Sequence, residues 1–570
     1  MKRLLLIPVF LALAAIAGED TIPKPIDFGS KEISICVAVP NLQTLIDNAE
    51  TFLKPILGDA LQPGQFKVRL GAALGDAELA GVELDKPAVF ALFKSPPIEL
   101  PNGEPPPWAL FLPAKSADAF AAVLNKAGLQ SSFDNNLLIV AKTADALKKA
   151  QDQKALYAKI ADAKIKSDGR VYLNVNALLE TYMPLLKTQF NIVLPLIGMA
   201  FAIGKPDADP IAIQKMIKMG AKIGRSAISQ IDVIQHDISF KPESLQIETL
   251  YAAKDGTPLF GLLSAPPAGK SKTLGLLSTA GMMTAVIRFD PAKFSAASSR
   301  FIDDLSRDPM LAEVLDEPTK AFVKQTVSVF AGEFATSTAI VPDTGIDQEA
   351  ACTAADEKAY MDMLEKTIAQ LKPDGALGKL YASLGMKMST TLDKNVREHS
   401  KVSVSRRKME FDAAGMTPEQ AAGIKAMAKD ADIAITNGVF LSANRPEALD
   451  TMIDKLLGAP KKDIELKSIQ TFGEGKQIYL DADWSGMIQG VLSLQPNNPA
   501  ARLFARMKSA EPVAMAGSFD NGRLLLQANI PTAPFTDLAA AIRPIMLLRG
   551  QRKAQRPPQP PPPDKKNNDF

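Results

Sequence analysis

One order of strand-like and helix-like segments occurs twice along the chain, and this repeat constrains the fold more than any other feature of the sequence. Five segments of the first half have a counterpart in the second half, in the same order. The first copies begin at residues 32, 107, 136, 170 and 231, and their counterparts at residues 283, 336, 438, 477 and 513. Such self-similarity is typical of tandem duplication. Chance agreement is the alternative, because any chain of mixed helices and strands offers strand–helix pairs to align.

The local chemistry of the matched segments agrees as well as their order. At the first match, a strand-like run leads into a predicted helix in both halves, over Leu42 to Leu57 and from Asp290 to Leu305. At the second match, a strand ends at Pro113 or Pro342, and a loop and an Asp-capped helix follow. At the fifth match, hairpins are predicted, and Asp520-Asn521-Gly522 contains the strong Asn-Gly turn signal. Agreement in both order and turn chemistry favours duplication.

The pattern also predicts the fold class and the domain boundaries. Hairpins lie beside helices in each half, and the continuous apolar strands typical of parallel sheets are not dominant. We therefore predict an α+β fold of two related domains, each a mostly antiparallel sheet with helices packed on one face. The predicted domains are residues 18–263 and 273–549, joined by a Pro- and Gly-containing linker at 264–272. Residues 550–570 are predicted to form a disordered Pro-rich tail.

The N-terminus has the organisation of a secretory signal peptide. Lys2 and Arg3 precede an apolar run from Leu4 to Ala17, and Ala15-Ile16-Ala17 places small residues where signal peptidase reads them. A membrane anchor is the alternative, but the fourteen residues of the run span only about 21 Å of a hydrocarbon core of roughly 30 Å. We therefore predict cleavage of residues 1–17 and a periplasmic or extracellular location, with no cysteine nearby for lipid attachment and no transmembrane span in the mature chain.

Charge and cysteine content exclude several classes of protein. Without Lys2 and Arg3 the chain has 63 basic and 63 acidic residues, and such a neutral body provides no broad positive field for nucleic acid. Two cysteines and two histidines exclude a disulfide scaffold and a Cys-rich metal centre. Cys36 lies in an alternating run and is predicted to be a small core residue, whereas Cys352 is predicted to lie in a loop. One disulfide between them is the alternative.

Two segments resemble phosphate or calcium loops, and both have simpler structural interpretations. Gly269-Lys270-Ser271 matches the end of a phosphate-binding loop, but Ser264 stands where that loop needs its earlier glycine. Asp481 to Gly486 matches the opening of a calcium loop, but its twelfth position is Leu492 instead of a glutamate. We therefore expect the first segment to belong to the linker, and Asp483 to cap the helix that follows it.

The remaining candidates for catalysis are equally unspecific. Ser405 to Lys408 fits the S-x-x-K pattern of acyl-serine enzymes, but its alternating neighbourhood predicts a strand, whereas those enzymes place the serine at the start of a helix. His236 and His399 also lie on predicted strands, and the chain contains no G-x-S-x-G or H-E-x-x-H motif. We expect both histidines at the surface, and we predict no catalytic, cofactor-binding or metal-binding residue.

The most apolar stretch of the mature chain, residues 192–203, is followed by an amphipathic helix that opens at Asp209-Pro210 and carries three lysines. Twelve residues are too few to span a bilayer, so we expect a helical pair that closes the first core. The alternative is a surface that rests on a membrane or lines an apolar ligand cavity. In that case the contact residues are Ile192, Phe201, Ile213, Met216, Ile217 and Ile223.

These observations favour an exported, bacterial-type protein that is not an enzyme and acts by binding or as a structural component. Its candidate partners are an apolar ligand or another component of the cell envelope. One alternative is a carrier of lipid or another apolar ligand, in which residues 192–223 line or gate the cavity. The other is a hydrolase whose site assembles only in the fold, and a cleft with two carboxylates of displaced pKa would indicate it.

Overall fold

A computed structural model describes most of the chain, and it shows a mixture of helices and strands. The described residues are 32–58, 61–74, 78–96, 106–163, 165–202, 209–264, 270–278, 281–341, 345–375, 387–412, 429–460, 464–493 and 511–542, together with positions 22, 25, 378, 379, 382, 504 and 507. The predicted signal peptide at 1–17 and the predicted tail at 550–570 lie outside the described residues, as do positions 265–269 of the predicted linker.

The first half alternates strands with helices. Its strands are β1 (Ile33–Val39), β2 (Ala88–Phe93), β3 (Trp108–Pro113), β4 (Gln130–Asp134), β5 (Leu137–Ala141), β6 (Gly169–Asn174), β7 (Ile231–Phe240) and β8 (Ser244–Ala253). Its helices are α1 (Leu42–Leu57), α2 (Gln65–Leu74), α3 (Asp118–Ala127), α4 (Ala144–Asp152), α5 (Lys154–Asp162), α6 (Val175–Ala202), α7 (Pro210–Ile228) and α8 (Pro258–Leu262). The helix predicted over Leu42 to Leu57 is confirmed, and the Asn41 side chain caps it by accepting a hydrogen bond from the Thr44 amide at 2.8 Å.

The second half has the same kinds of element and one additional hairpin. Its strands are β9 (Met283–Arg288), β10 (Phe330–Val341), β11 (Gly345–Ala354), β12 (Lys387–His399), β13 (Val402–Asp412), β14 (Ala431–Thr436), β15 (Val439–Ala443), β16 (Ile478–Ala482), β17 (Val513–Asp520) and β18 (Arg523–Pro531). Its helices are α9 (Pro291–Leu305), α10 (Pro309–Ala312), α11 (Glu317–Ser328), α12 (Glu357–Leu371), α13 (Pro446–Leu456), α14 (Lys467–Phe472) and α15 (Trp484–Ser493), with a 3₁₀ helix at Leu274–Leu276. Asp290 caps α9 as predicted, since its side chain accepts a hydrogen bond from the Lys293 amide at 2.8 Å.

All eighteen of these strands form one continuous sheet, and every pairing between them is antiparallel. From one edge to the other, the order is β4-β5-β3-β2-β1-β6-β7-β8-β18-β17-β16-β9-β10-β11-β15-β14-β13-β12. The large antiparallel sheet confirms the prediction of an α+β fold. The two halves meet at β8 and β18, which pair along nine residues from Ser244 to Ala252.

The strand order is the same within the two halves. The order β4-β5-β3-β2-β1-β6-β7-β8 corresponds to β14-β15-β11-β10-β9-β16-β17-β18, and the hairpin β12–β13 is added outside β14. One predicted match is wrong by one strand. The segment that begins at Thr336 lies in β10 and corresponds to β2, and the counterpart of β3 is β11. Strand β11 was not predicted, because its many small residues resemble a loop.

One pair of matching hairpins also has matching turns. The turn between β4 and β5 passes through Asn135 and Asn136, with φ of 49° and 60°. The turn between β14 and β15 passes through Asn437 and Gly438, with φ of 51° and 69°. Two consecutive residues of positive φ form the tight turn whose twist suits an antiparallel hairpin, and Asn and Gly tolerate this conformation best.

Helices cover both faces of the sheet, so the prediction of helices on one face is wrong. Val89 belongs to a buried cluster with residues of α4 and α5, whereas its neighbour Ala88 belongs to a second cluster with residues of α1, α2 and α3. Successive strand residues point to opposite faces, so these clusters lie on opposite sides of the sheet. We call the side of Val89 the front face and the other the back face. Strands such as β5, with Leu138, Ile139 and Val140 all buried, require cover on both faces.

Both faces continue across the junction of the two halves. Cross-strand partners can be traced from the first half through β8 and β18 into the second half. The cluster beneath α13 lies on the front face, and an aromatic cluster around Phe289 and Phe519 lies on the back face. The rings of these two residues stack at a centroid distance of 6.2 Å. Beside them, Gly522 has a φ of 72°, and a Cβ atom at this position would lie 2.1 Å from the ring of Phe260 on α8. The β17–β18 turn thus packs directly against the first half.

Two buried glutamates hold the segment that enters the second half. The Glu333 carboxylate on β10 accepts hydrogen bonds from the Thr273 amide at 2.7 Å and the Thr273 hydroxyl at 2.8 Å. The Glu349 carboxylate on β11 accepts a hydrogen bond from the Ser278 amide at 2.6 Å. Because both carboxylates are buried and hydrogen-bonded to backbone amides, the part of this segment around Thr273 and Ser278 is fixed against the sheet.

The two cysteines are buried free thiols. Cys36 is 1% exposed and belongs to the front-face core, as predicted. The prediction for Cys352 is wrong, because this residue lies in strand β11 and is 4% exposed. Burial raises the pKa of each thiol to about 12. Both residues are therefore small core residues of low reactivity.

Candidate functional site: a helical hairpin with an exposed apolar stripe

The apolar segment singled out in the sequence lies in a helical hairpin formed by α6 and α7. Helix α6 follows β6 directly, and its first turns pack on the sheet, where Thr181 is buried and its hydroxyl donates a hydrogen bond to the Ser95 carbonyl at 3.2 Å. Helix α7 opens at Pro210, where the Asp209 side chain accepts a hydrogen bond from the Ile211 amide at 2.8 Å. The expected helical pair is present, since α6 and α7 pack against each other.

A glycine permits the close approach of the two helices. A Cβ atom at Gly198 would lie 2.8 Å from the Cγ atom of Gln214 and 3.1 Å from the Pro210 carbonyl oxygen. Both distances are shorter than the van der Waals contact of carbon with carbon or oxygen. The C-terminal part of α6 therefore packs against the first turns of α7.

The residues proposed from the sequence as apolar contacts are placed in three different environments. Ile192 on α6 is 59% exposed, whereas Ile213 on α7 is 2% exposed. The other three α7 residues of the set, Met216, Ile217 and Ile223, are half-buried. Phe201 lies in the last turn of α6, and its side chain lies outside the described part of the structure. The structure thus places Ile192 on the surface and directs the described α7 residues of the set toward the protein.

Several exposed apolar residues of α6 were missed in the sequence. Their exposed fractions run from 42% for Val193 to 58% for Leu196. We define the apolar stripe as Leu186, Ile192, Val193, Leu196 and Met199. Ile192, Leu196 and Met199 follow at intervals of four and three residues, which places them on one face of the helix. The sequence feature that could have identified them is the lack of charge, because no charged residue occurs between Thr188 and Ala202.

Basic side chains accompany the apolar stripe. Helix α7 contains Lys215, Lys218, Lys222 and Arg225 and no acidic residue. Lys215 pairs with Glu313 at 2.5 Å and Lys222 pairs with Asp308 at 2.6 Å, which ties α7 to the second half of the chain. These hydrogen bonds hold the pKa of both carboxyls below the usual range. Among the described residues, Lys218 and Arg225 have no such carboxylate partner.

No helix in the described part of the chain is long and apolar enough to cross a bilayer. Within the described structure, the hairpin combines an apolar stripe on α6 with a basic partner helix, α7.

Two clefts are lined mainly by polar residues. One, of about 140 Å³, is lined by Ser337, Asp347, Glu349 and Arg445 among others. The Asp347 carboxylate pairs with Lys429 at 2.7 Å and with Arg445 at 3.3 Å. The two acidic side chains of this cleft, Asp347 and Glu349, are thus held by basic residues or backbone amides.

The second cleft contains the aspartates that resembled a calcium loop. It has a volume of about 460 Å³, and its lining includes Asp481, Asp483 and Glu465. The Asp481 carboxylate accepts hydrogen bonds from the backbone amides of Lys467 and Ser468, at 2.8 Å for Ser468. Asp483 caps α15 as predicted, by accepting a hydrogen bond from the Gly486 amide at 2.9 Å. Among the described residues, no group of three or more His, Cys, Asp or Glu side chains could hold a metal ion.

The other candidates, Ser405, His236 and His399, lie in strands of the sheet. Ser405 lies in strand β13, as predicted, with 7% exposure. His236 lies on β7 and is half-buried, and its Nδ1 atom is 2.9 Å from the Thr249 hydroxyl. Burial lowers the pKa of His236. His399 lies on β12 and contacts the Asp454 carboxylate at 2.8 Å. Among the hydrogen bonds of the described residues, neither histidine is bonded to a serine, as a Ser–His catalytic pair requires.

Comparisons of the chain with protein-family models, with curated proteins and with solved structures give no match.

Proposed function

We propose that the protein is exported, is not an enzyme, and binds an anionic lipid surface through the α6–α7 hairpin. The observation that carries the proposal is the apolar stripe, a set of five large apolar side chains exposed along a stretch of helix with little charge. Helices that lie in a membrane interface combine an apolar face with basic residues. The hairpin has both features, and α6 supplies the apolar residues while α7 supplies the basic ones.

Apolar area gives the first contribution to binding. Complete burial of an Ile, Leu or Met side chain contributes about 1.5–3 kcal/mol. Ile192, Leu196 and Met199 are 59%, 58% and 51% exposed, so about half of each side chain is available. Transfer of these three into the acyl boundary therefore contributes about 3 kcal/mol in total.

Charge gives the second contribution and selects the kind of lipid. Basic residues close to an anionic bilayer contribute about 1 kcal/mol each. Lys218 and Arg225 are available for this role, whereas Lys215 and Lys222 are already paired with carboxylates of the second half. The mature chain is neutral overall, so its basic helix marks a local attraction rather than a general one.

The proposal includes the export signal and a tandem duplication. The basic and apolar start of the chain supports export, and an exported protein meets the outer surfaces of envelope membranes. Identical strand order, the matched Asn-containing turns and the pairing of β8 with β18 support duplication. Superposition of the eight equivalent strands in an experimental structure tests the duplication, and a different handedness of the helical connections would contradict it.

Vesicle co-sedimentation tests the lipid-binding function. The purified protein beginning at Gly18 is mixed with vesicles of phosphatidylcholine, with or without phosphatidylglycerol. We expect binding to the anionic vesicles that weakens with salt. The triple variant Ile192→Ser, Leu196→Ser, Met199→Ser should bind about 100-fold more weakly, as the loss of about 3 kcal/mol requires.

A matched control uses three exposed apolar residues from other parts of the structure. Leu57, Val396 and Leu457 are 41%, 41% and 45% exposed, and their replacement by Ser should leave vesicle binding unchanged. Absence of binding by the unmodified protein, or equal binding by the triple variant, overturns the proposal. A dimer of the unmodified protein that becomes a monomer in the triple variant, without vesicle binding, would instead assign the stripe to self-association.

A further inference from the structure

We infer that the second half of the chain provides a second membrane contact, centred on Trp484 and Val491 of α15, on the same side of the sheet as the α6–α7 hairpin. The inference rests on the proposed lipid-binding function and extends it to two points of contact. Helix α15 follows β16 as α6 follows β6, so the two helices occupy equivalent places in the strand order.

Helix α15 has the same surface character as α6. Its ten residues contain no charged side chain, and Trp484 and Val491 are 54% and 53% exposed. These residues are seven positions apart and therefore lie on one face of the helix. The opposite side is packed, because Ser485 and Gly490 are buried and a Cβ atom at Gly490 would lie 2.6 Å from the Cβ atom of Ile340.

The junction between the halves determines the relative orientation of the two helices. Phe240 pairs with Leu245 in the first hairpin, and Phe519 pairs with Leu524 in the second. Glu248 and Gln527 lie three residues after these leucines, and they pair with each other across the β8–β18 junction. Equivalent antiparallel strands with this register are related by a two-fold axis normal to the sheet, and such an axis keeps each face on its own side.

Contacts on the back face agree with this symmetry argument. Ile340 shares a strand face with Phe334, whose cross-strand partner is Ile287 of the back-face cluster, so α15 lies on the back face. Lys215 and Lys222 of α7 pair with Glu313 and Asp308, which flank α10.

Helix α9 immediately precedes the segment that contains Asp308 and Glu313, and Phe294 of α9 packs against the back-face cluster. The hairpin and α15 therefore lie on the same side of one continuous sheet.

Two apolar contacts on one side of a sheet suit a flat, extended partner such as a bilayer. Once one contact is bound, the second faces the same surface at a high effective concentration. Tryptophan is the side chain that most favours the boundary between headgroups and acyl chains, because its ring is large and apolar while its N–H needs a polar partner. The chain has two tryptophans, and Trp108 lies in strand β3 beside Phe90 at a centroid distance of 6.0 Å.

Tryptophan fluorescence tests the inference. The variant Trp108→Phe leaves Trp484 as the single reporter, and vesicles of phosphatidylcholine with phosphatidylglycerol are added. We expect a blue shift of the Trp484 emission and quenching by lipids brominated on their acyl chains. The variant Trp484→Ser, Val491→Ser should reduce vesicle binding about ten-fold in co-sedimentation while its circular dichroism spectrum stays unchanged.

The outcomes separate this inference from the proposed function. If the Trp108→Phe protein binds vesicles but the Trp484 emission does not change, the second contact is refuted and the hairpin remains the single binding site. If no vesicle binding occurs, both the proposed function and the second contact are refuted. Unchanged affinity of the Trp484→Ser, Val491→Ser variant also overturns the inference.

Discussion

Replacement of Asp432 by asparagine should release the β12–β13 hairpin from the edge of the sheet. The Asp432 side chain is 2% exposed and lies on β14, next to β13. Arg406 donates hydrogen bonds to it from Nε at 2.6 Å and from Nη2 at 3.2 Å, and Arg397 donates one from Nε at 3.1 Å. Both arginines belong to the hairpin, so one buried carboxylate holds both of its strands.

The size of the effect follows from burial and from the number of hydrogen bonds. Loss of one partner from a buried ion pair costs about 3–5 kcal/mol. The arginine side chains are 25% and 36% exposed, and Arg397 keeps its pair with Asp450 at 2.5 Å. Water and Asp450 therefore partly replace the lost contacts, and the lower end of that range, about 3 kcal/mol, is expected. A local opening that is easier by this amount accelerates amide exchange about 150-fold.

Hydrogen exchange measured by mass spectrometry checks this prediction. Peptides within 387–412 should lose protection in Asp432→Asn, whereas peptides within 231–253 should not change. The matched control is Asp393→Asn on the same hairpin, where an exposed pair with Lys408 at 2.6 Å contributes less than about 1 kcal/mol. Equal exchange of the hairpin in the Asp432→Asn and unmodified proteins would refute the role of the buried carboxylate.

The contacts of Asp432 with Arg397 and Arg406 also make the stability of the β12–β13 hairpin depend on pH. Burial raises the pKa of Asp432, but hydrogen bonds from Arg406 and Arg397 outweigh it and hold the pKa below the usual range. A carboxyl whose pKa is lowered by folding contributes stability above its unfolded pKa of about 3.9, and this contribution is lost as the pH falls through the folded value. Protection of the hairpin should therefore decrease below about pH 4, and this step should be absent in the Asp432→Asn variant.

Three further predictions concern the turns, the junction and the thiols. Gly438→Ala should lower the free energy of unfolding by about 1 kcal/mol, since φ is positive at this position. Asn136→Gly at the equivalent turn should raise it by up to about 0.5 kcal/mol. Chemical denaturation measures both changes. Phe519→Ala should cost about 3–5 kcal/mol by the same measurement, because its ring is fully buried between the halves. Cys36 and Cys352 should resist iodoacetamide at pH 8 in the folded protein and react in denaturant; rapid alkylation of the folded protein would contradict their burial.

The sequence predicted those parts of the fold that depend on local chemistry. Asp290 and Asp209 cap helices where expected, because a short acidic side chain before a helix is sufficient to accept its free amides. Of the two Asp caps predicted after Pro113 and Pro342, the second is formed by Asp356, whereas the first is wrong, because Ala117 is at the N-cap of α3 and makes no side-chain hydrogen bond. The tight turn at Asn521-Gly522 was predicted for the same kind of local reason. Strand β11 was missed because its alanines and Cys352 are small residues that resemble a loop in the sequence. Their small size suits a buried strand, but burial depends on neighbours that are distant in the sequence.

The candidate site was predicted in position but not in orientation. The segment 192–203 was recognised by its apolar composition, yet the nominated residues of α7 include Ile213, which is buried. Composition reveals that a helix needs apolar contacts, but it does not reveal which face a neighbouring helix already covers. On α6 the pattern is apolar on nearly all sides, and it is the burial of Leu194 and the packing of Gly198 against α7 that distinguish the covered face from the exposed stripe.

At the junction, the two halves meet through unlike residues at equivalent positions. At a two-fold axis between identical chains, a residue meets its own copy, so a glutamate at position 248 would face a second glutamate. Like charges directly opposite each other destabilise a pair of strands. Here the equivalent position is Gln527, which donates a hydrogen bond from Nε2 to the Glu248 carboxylate at 2.8 Å. A hydrogen bond thus replaces a like-charge contact at the pair where the two halves meet.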